Sequence, residues 1–185
     1  MAGKMKRIMV TGSVGQIGSE LTLELRNKYG GDNVLALGRK TKPSEELTST
    51  GPFEFQDVTD KEGLGKLVDE YEIDSIFHMA AILSGAGEKN PDRAYYVNME
   101  GLKNVLDIAR EKELVRVIAP SSIAAFGPET PRENTPQETI LKPKTMYGVT
   151  KVAGELLCDY YFHKFGVDVR GLRYPGIISL SLIHI

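Results

Sequence analysis

Apolar and polar positions change period along this chain, and each change marks an element. Arg7-Ile8-Met9-Val10-Thr11 is a short apolar run that ends in Gly12-Ser13-Val14-Gly15-Gln16-Ile17-Gly18, after which Leu21, Leu23 and Leu25 stand among polar residues. A compact apolar run, a glycine turn and a mixed stretch predict strand, turn and helix. Val34-Leu35-Ala36-Leu37 predicts a second strand, and segment 41–52, with Pro43, Gly51 and Pro52, a connecting loop with one helical turn. Phe53-Glu54-Phe55 alternates as a third strand should, and Leu64, Leu67 and Val68 mark the helix after it. Asp74 to Ala81 predicts a buried strand, and the stretch after Pro91 through Val97, Leu102 and Val105 one long helix. Val117 to Ser122 predicts a fifth strand that ends in hydroxyls, and the proline-rich stretch from Gly127 to Pro143 an open loop. The last helix begins near Tyr147 and runs to Gly166, which suits a C′ position, and Val167 to Tyr174 is the final strand. Six strands alternating with helices predict an α/β fold, a doubly wound parallel sheet flanked by helices with right-handed crossovers.

Composition narrows the class. A chain of 185 residues suits one domain, and a hydrophobic content of 41% suffices for a core. Lys plus Arg number 23 against 25 Asp plus Glu, so no basic stripe points to nucleic acid. Cys158 is the single cysteine, which excludes a disulfide framework and a cysteine-based metal site and fits a reducing compartment. No run of eighteen apolar residues suggests a membrane span, and the start leads into a strand without a signal pattern, so a cytoplasmic protein is expected.

The candidate chemistry lies at the predicted strand ends. Gly12, Gly15 and Gly18 stand between strand and helix, where the first makes a tight turn, the second lets a pyrophosphate approach, and the third lets the helix pack on the strand. Gln16 and Ile17 then open the helix whose N-terminus faces the phosphates. A dinucleotide-binding sheet usually carries an acid after the second strand, for the adenosine ribose; here Gly38-Arg39-Lys40 stands there. Arg39 is either a cradle for a 2′-phosphate or part of a solvated basic turn. Asp57 beside Val58 either accepts from an adenine amine or caps the next helix. Small residues Ala80 and Ala81 end the fourth strand, where a dinucleotide lies across such sheets; His78 reads as packed, and Asn98 as an amide that fixes the catalytic helix or a water. Tyr147 and Lys151, four apart, share a helix face, and an ammonium about 5 Å away at an effective dielectric of ~20 favours a phenolate by roughly 3 kcal/mol. With Ser122 twenty-five positions upstream to hold a substrate oxygen, the pair reads as a general base; taken alone, it reads as a surface helix pair.

Thr11 to Leu21, His78 to Ser84, Gly87 to Pro91, Val97 to Val105, Ser122 to Gly127, Met146 to Lys151 and Pro175 to Ser179 together resemble the epimerase-like L-threonine 3-dehydrogenases of the extended short-chain dehydrogenase/reductase superfamily. The glycine loop and Tyr-x-x-x-Lys belong to the superfamily at large; Ala81-Ile82-Leu83-Ser84 and Pro175-Gly176-Ile177-Ile178-Ser179 are particular to these dehydrogenases. The resemblance implies a Rossmann-type domain over residues 1–179, NAD as cofactor, and oxidation of L-threonine at C3 to 2-amino-3-ketobutyrate. It makes Tyr147 the base, Lys151 the residue that lowers its pKa and binds the nicotinamide ribose, and Ser122 the group that orients the substrate hydroxyl. Ser84 and Ser121 would contact substrate, and the full-length form would be a homodimer. The family usually has Asp where Gly38 stands, so NADP becomes possible beside NAD. Residues 180–185 depart from the family's continuation, and the family's substrate-covering region is absent from this sequence, which implies a truncated chain. A nucleotide-sugar 4-epimerase or dehydratase, or a dinucleotide-binding fragment without catalysis, are the alternatives.

Overall fold

The computed structural model describes residues 3–177. Strands β1 (Ile8–Thr11), β2 (Val34–Gly38), β3 (Phe53–Phe55), β4 (Ser75–His78), β5 (Arg116–Ile118) and β7 (Val169–Arg170) form one sheet in the order β3-β2-β1-β4-β5-β7, while β6 (Ser121–Ser122) pairs with β8 (Arg173–Tyr174) beside it. All pairings are parallel, with Thr11 opposite both Leu37 and His78. Helices α1 (Gln16–Tyr29), α2 (Glu45–Ser49), α3 (Lys61–Glu70), α4 (Ser84–Lys89), α5 (Pro91–Glu111) and α6 (Met146–Phe165) connect the strands.

Successive side chains of a strand point to opposite faces, and here both faces are covered. Met9, Leu35, Leu37, Ile76 and Val117 pack with Leu64 and Val68 of α3, Leu102, Val105 and Leu106 of α5, and Tyr161 of α6. Ile8, Val10 and Val34 pack with Leu25 of α1. The apolar runs therefore lack the alternation of a half-exposed sheet.

Side-chain chemistry at the helix ends agrees with the predicted starts and stops. Asn90 Oδ1 accepts from the Arg93 amide (3.1 Å) with Pro91 at the first position of α5, and Thr145 Oγ1 accepts from Gly148 N (3.1 Å) at the start of α6. α6 ends at Gly166, whose φ of 73° is the left-handed conformation that glycine adopts without steric cost.

Two predicted strands prove to be interrupted. Ala119 N donates to Arg170 O (2.9 Å) and Ser121 N to Leu172 O (2.8 Å), yet 117–122 divides at Ala119-Pro120 into β5 and β6. The facing segment divides likewise at Gly171, where a Cβ would meet the Ala119 carbonyl oxygen. Helix α4 was not anticipated from the sequence. Nor was the buried Arg26, 4% exposed, which holds the 47–52 segment by donating to the carbonyls of Val34, Leu47 and Pro52 and to Thr50 Oγ1. The expectation for residues 180–185 falls outside the described residues.

Candidate active site

The order of strands reverses between β1 and β4, and the segments that leave their carboxyl ends diverge to open a crevice, the usual ligand site of such sheets. Gly12 turns the chain out of β1 with φ 68°, and a Cβ there would lie 2.7 Å from the Ala80 backbone nitrogen. Ser13 pins the turn, its amide and its hydroxyl both donating to Leu37 O at 3.0 Å. At Gly18 a Cβ would run into the Gly12 carbonyl, so this residue lets α1 pack against the turn. Gly15 differs: a Cβ there would meet only the Gly12 oxygen, at 3.3 Å, and otherwise open space. It caps α1 without a side-chain hydrogen bond, which leaves helix amides and the positive end of the helix dipole facing the crevice. These features suit a pyrophosphate. Gln16 points elsewhere, its amide donating to Ile177 O at 3.4 Å, and Ile17 is half-buried.

A cleft of 280 Å³ extends from this loop, lined by Gly12, Gly15, Gly38, Arg39, Asp57, Val58, Ala80 and Ala81 among others. Asp57 does not cap α3; Asp60 does, accepting from Gly63 N at 3.0 Å. The Asp57 carboxylate instead accepts from the amide (3.0 Å) and hydroxyl (2.9 Å) of Thr59, and its other oxygen lies 3.7 Å from the Arg39 guanidinium. Burial tends to raise this carboxyl, but the Thr59 hydrogen bonds and the Arg39 charge hold it below its ordinary value. Arg39 is thus an exposed cation in partial contact with Asp57, which leaves both of its expected roles open. Gly38 closes the floor of the cleft, where a Cβ would sit 2.9 Å from Phe53 Cζ and 3.2 Å from Val14 Cγ1.

Ala80 and Ala81 also line a second, larger cavity of 640 Å³, walled by Asn98, Ser121, Lys151, Glu155, Cys158 and Arg173 among others. Lys151 Nζ donates to the Pro120 carbonyl at 2.8 Å and lies 5.4 Å from the centroid of the Tyr147 ring. Tyr147 and Ser122, both half-buried, stand outside the lining of this cavity, and the Ser122 hydroxyl faces the phenol. The expected lowering of the Tyr147 pKa is not found. Burial raises it and the Ser122 hydrogen bond offsets only part of this, because the Lys151 ammonium lies over the ring and is bound to Pro120 O rather than set beside the hydroxyl. Lys151 is itself lowered by burial, with Cys158 and Glu155 opposing. Ser121 has a buried hydroxyl with no hydrogen-bond partner of good geometry among the described residues, and it lines the cavity beside Glu155. Ser84, at the first position of α4, lines neither space.

Polar contacts distant in sequence join the parts of the site. Asn98 accepts from Ile82 N (2.7 Å) and donates to Ile82 O (3.0 Å) and to Thr150 Oγ1 (3.1 Å), while Thr150 donates to the Tyr147 carbonyl (2.8 Å). One amide thereby fixes both the segment after β4 and the first turn of α6; of the two roles expected for Asn98, it fills the one toward the helix. His78 is packed, as its sequence context suggested: Nδ1 lies 3.0 Å from Thr11 Oγ1, and burial, helped by the Lys151 charge, lowers its pKa to about 3.

Residues 8–181 match the sequence profile of the NAD dependent epimerase/dehydratase family. The chain belongs to this family. It is 55% identical over 175 residues to an uncharacterized epimerase/dehydratase of Staphylococcus saprophyticus, covering 95% of this chain and 54% of that protein. Among solved structures it is similar to the L-threonine dehydrogenase of Clostridium difficile, with 52% identity and a TM-score of 0.92 over 96% of this chain and 55% of that one. It is similar also to the UDP-glucose 4-epimerase of Thermotoga maritima, solved with UDP-glucose, with 25% identity and a TM-score of 0.83 over 91% of this chain and 55% of that one. The chain thus spans about half the length of these relatives. The family and the glycine crevice together make it a Rossmann-type domain with a nicotinamide dinucleotide as cofactor. Among the described residues no helix is long and apolar enough to cross a membrane, and no group of three His, Cys, Asp or Glu side chains is placed to hold a metal ion.

Proposed function

We propose that this chain is the dinucleotide-binding part, residues 1–179, of a cytoplasmic, NAD-dependent L-threonine 3-dehydrogenase that oxidises L-threonine at C3 to 2-amino-3-ketobutyrate. The observation that carries this is the placement of Ser122, Tyr147 and Lys151 at the same sheet edge as the glycine crevice, in a chain 52% identical to a threonine dehydrogenase. In this reading the glycine loop and the α1 N-terminus hold the pyrophosphate, Asp57 and Val58 border the adenine, and Lys151 binds the nicotinamide ribose. When bound, an oxidised nicotinamide supplies the hydride acceptor and a further positive charge. Tyr147, a phenol in the structure, would have to give up its own proton first, which the nicotinamide charge and the nearby Lys151 ammonium would favour; as phenolate it takes the substrate hydroxyl proton as general base. Ser122 orients that hydroxyl, while Ser121 and Ser84 contact the rest of the substrate. The whole protein is a homodimer in this reading, as the resemblance to the threonine dehydrogenases implies.

Nucleotide-sugar epimerisation is the second reading, favoured by the likeness to the UDP-glucose 4-epimerase. Threonine-dependent reduction of NAD by the whole protein separates the two. Tyr147→Phe should lower its kcat by about 10²-fold or more and leave cofactor binding intact. No NADH with threonine, together with turnover of UDP-glucose, would replace the first reading by the second.

A further inference from the structure

Lys151 occupies an unusual position for a cation: it is mostly enclosed, and among the described residues its hydrogen bond goes to a neutral carbonyl, that of Pro120. The groups that face it come from several elements. His78 approaches from β4 as a neutral ring; on α6 itself stand Tyr147, Cys158 and Glu155; Arg170 of β7, Arg173 of β8 and Asp159 line the same cavity. Burial pushes the Cys158 thiol up to about 12, so it carries no charge at neutral pH. Glu155, one helical turn after Lys151, is the ionised neighbour. Its two oxygens are gripped by Arg173, whose Nε and Nη2 donate at 2.8 and 2.7 Å. Such a two-point contact fixes both the position and the plane of a carboxylate. The remaining nitrogen of Arg173 donates to the Gln137 carbonyl at 3.1 Å, and the guanidinium lies 5.3 Å from the Phe126 ring centroid. One side chain therefore ties the strand β8, the helix α6 and the loop of residues 127–143 around the cavity that Lys151 enters.

We propose that Glu155, clamped by Arg173, is a positioning residue for Lys151: it fixes a carboxylate one helical turn from the ammonium, in the wall of the cavity that both side chains line. The proposal rests on the reading of Lys151 as the residue that meets the dinucleotide ribose, and it adds the groups that hold that residue ready. The charges agree with it. Burial would raise the Glu155 carboxyl, but Arg173 and, more weakly, Lys151 hold it below its ordinary value, so it stays ionised. The two groups stand one helical turn apart, a spacing at which side-chain charges interact.

The readout is the titration of Lys151 itself, followed by carbon NMR in chain labelled at the lysine ε-carbon, the signal being identified by its absence in Lys151→Met. Glu155→Gln should lower the titration midpoint, raising the acid dissociation constant by about tenfold. Arg173→Gln leaves the carboxylate without its competitor and should raise the midpoint. Damage to packing alone would admit water and move Lys151 upward in both variants. An unchanged or higher midpoint in Glu155→Gln therefore overturns the proposal. If that variant does not fold, Glu155→Asp, which withdraws the carboxylate by one methylene, decides in its place: a lower midpoint supports the proposal, an unchanged or higher one overturns it. The reading beneath it fails separately, if Lys151→Met binds NAD as tightly as the unaltered chain.

Discussion

Mild acid should weaken this protein through His78. The ring is 7% exposed, with Nδ1 3.0 Å from Thr11 Oγ1, and that oxygen also accepts from the Ala80 amide at 3.3 Å, which leaves its proton for the ring. Neutral imidazole accepts that proton; an imidazolium would oppose it inside an apolar setting and near the Lys151 charge. Its pKa is lowered to about 3, against about 6.5 in an unfolded chain. Because the folded value lies below the unfolded one, the unfolded state binds the extra proton first. The stability contribution is complete above about pH 6.5 and declines as pH falls toward 3. Each pH unit inside the window is worth about 1.4 kcal/mol, so the step from pH 7 to pH 5 should remove about 2 kcal/mol. The depressed carboxylates Asp57, Asp107 and Asp168 add to acid sensitivity only at lower pH, since their losses begin below the ordinary carboxylate pKa. Urea unfolding of the wild type and of His78→Gln at both pH values is the assay. The wild type should lose about 2 kcal/mol more than the variant between the two. Equal losses in the two proteins would refute the burial argument.

Two further outcomes concern the cofactor. Gly15→Leu should stay folded, because φ is −83° and the added side chain meets open space, yet it should abolish dinucleotide binding by calorimetry; unchanged affinity in a folded variant would remove the glycine loop from the site. Gly38→Asp should favour NAD over NADP in paired titrations, since an acid accepts from both ribose hydroxyls and repels a 2′-phosphate, with Phe53 shifting to admit the Cβ. The wild type, with Arg39 partly engaged by Asp57, should bind the two cofactors within about a hundredfold; a larger NAD preference that Gly38→Asp leaves unchanged would sink the idea.

Much of the architecture was legible because its causes are local. The short runs at 7–11, 34–37 and 74–81 read as buried strands, and the structure has strands within each, while Gly12, Pro91 and Gly166 mark positions where backbone conformation limits the choice of residue. Pro120 was visible as well, but the break into β5 and β6 emerges only against Gly171 and Leu172. The candidate site divides along the same line. Its residue types, Ser122, Tyr147 and Lys151, are written in the chain at helix and strand spacings. The electrostatic state is not, because a pKa depends on burial and on partners brought from elsewhere in the sequence. Four-residue spacing alone put the ammonium beside the phenol and lowered its pKa; the folded chain binds Lys151 to Pro120 O and buries the phenol, which raises it. Asn98 with Thr150, Arg39 with Asp57 and Glu155 with Arg173 are separated by 52, 18 and 18 positions, and no periodicity links them. Sequence determined which elements form and what chemistry they carry, since both follow from short-range sterics and residue type. Tertiary structure decided which side chains meet and in what charge state, since those follow from distance and water exclusion across the sheet.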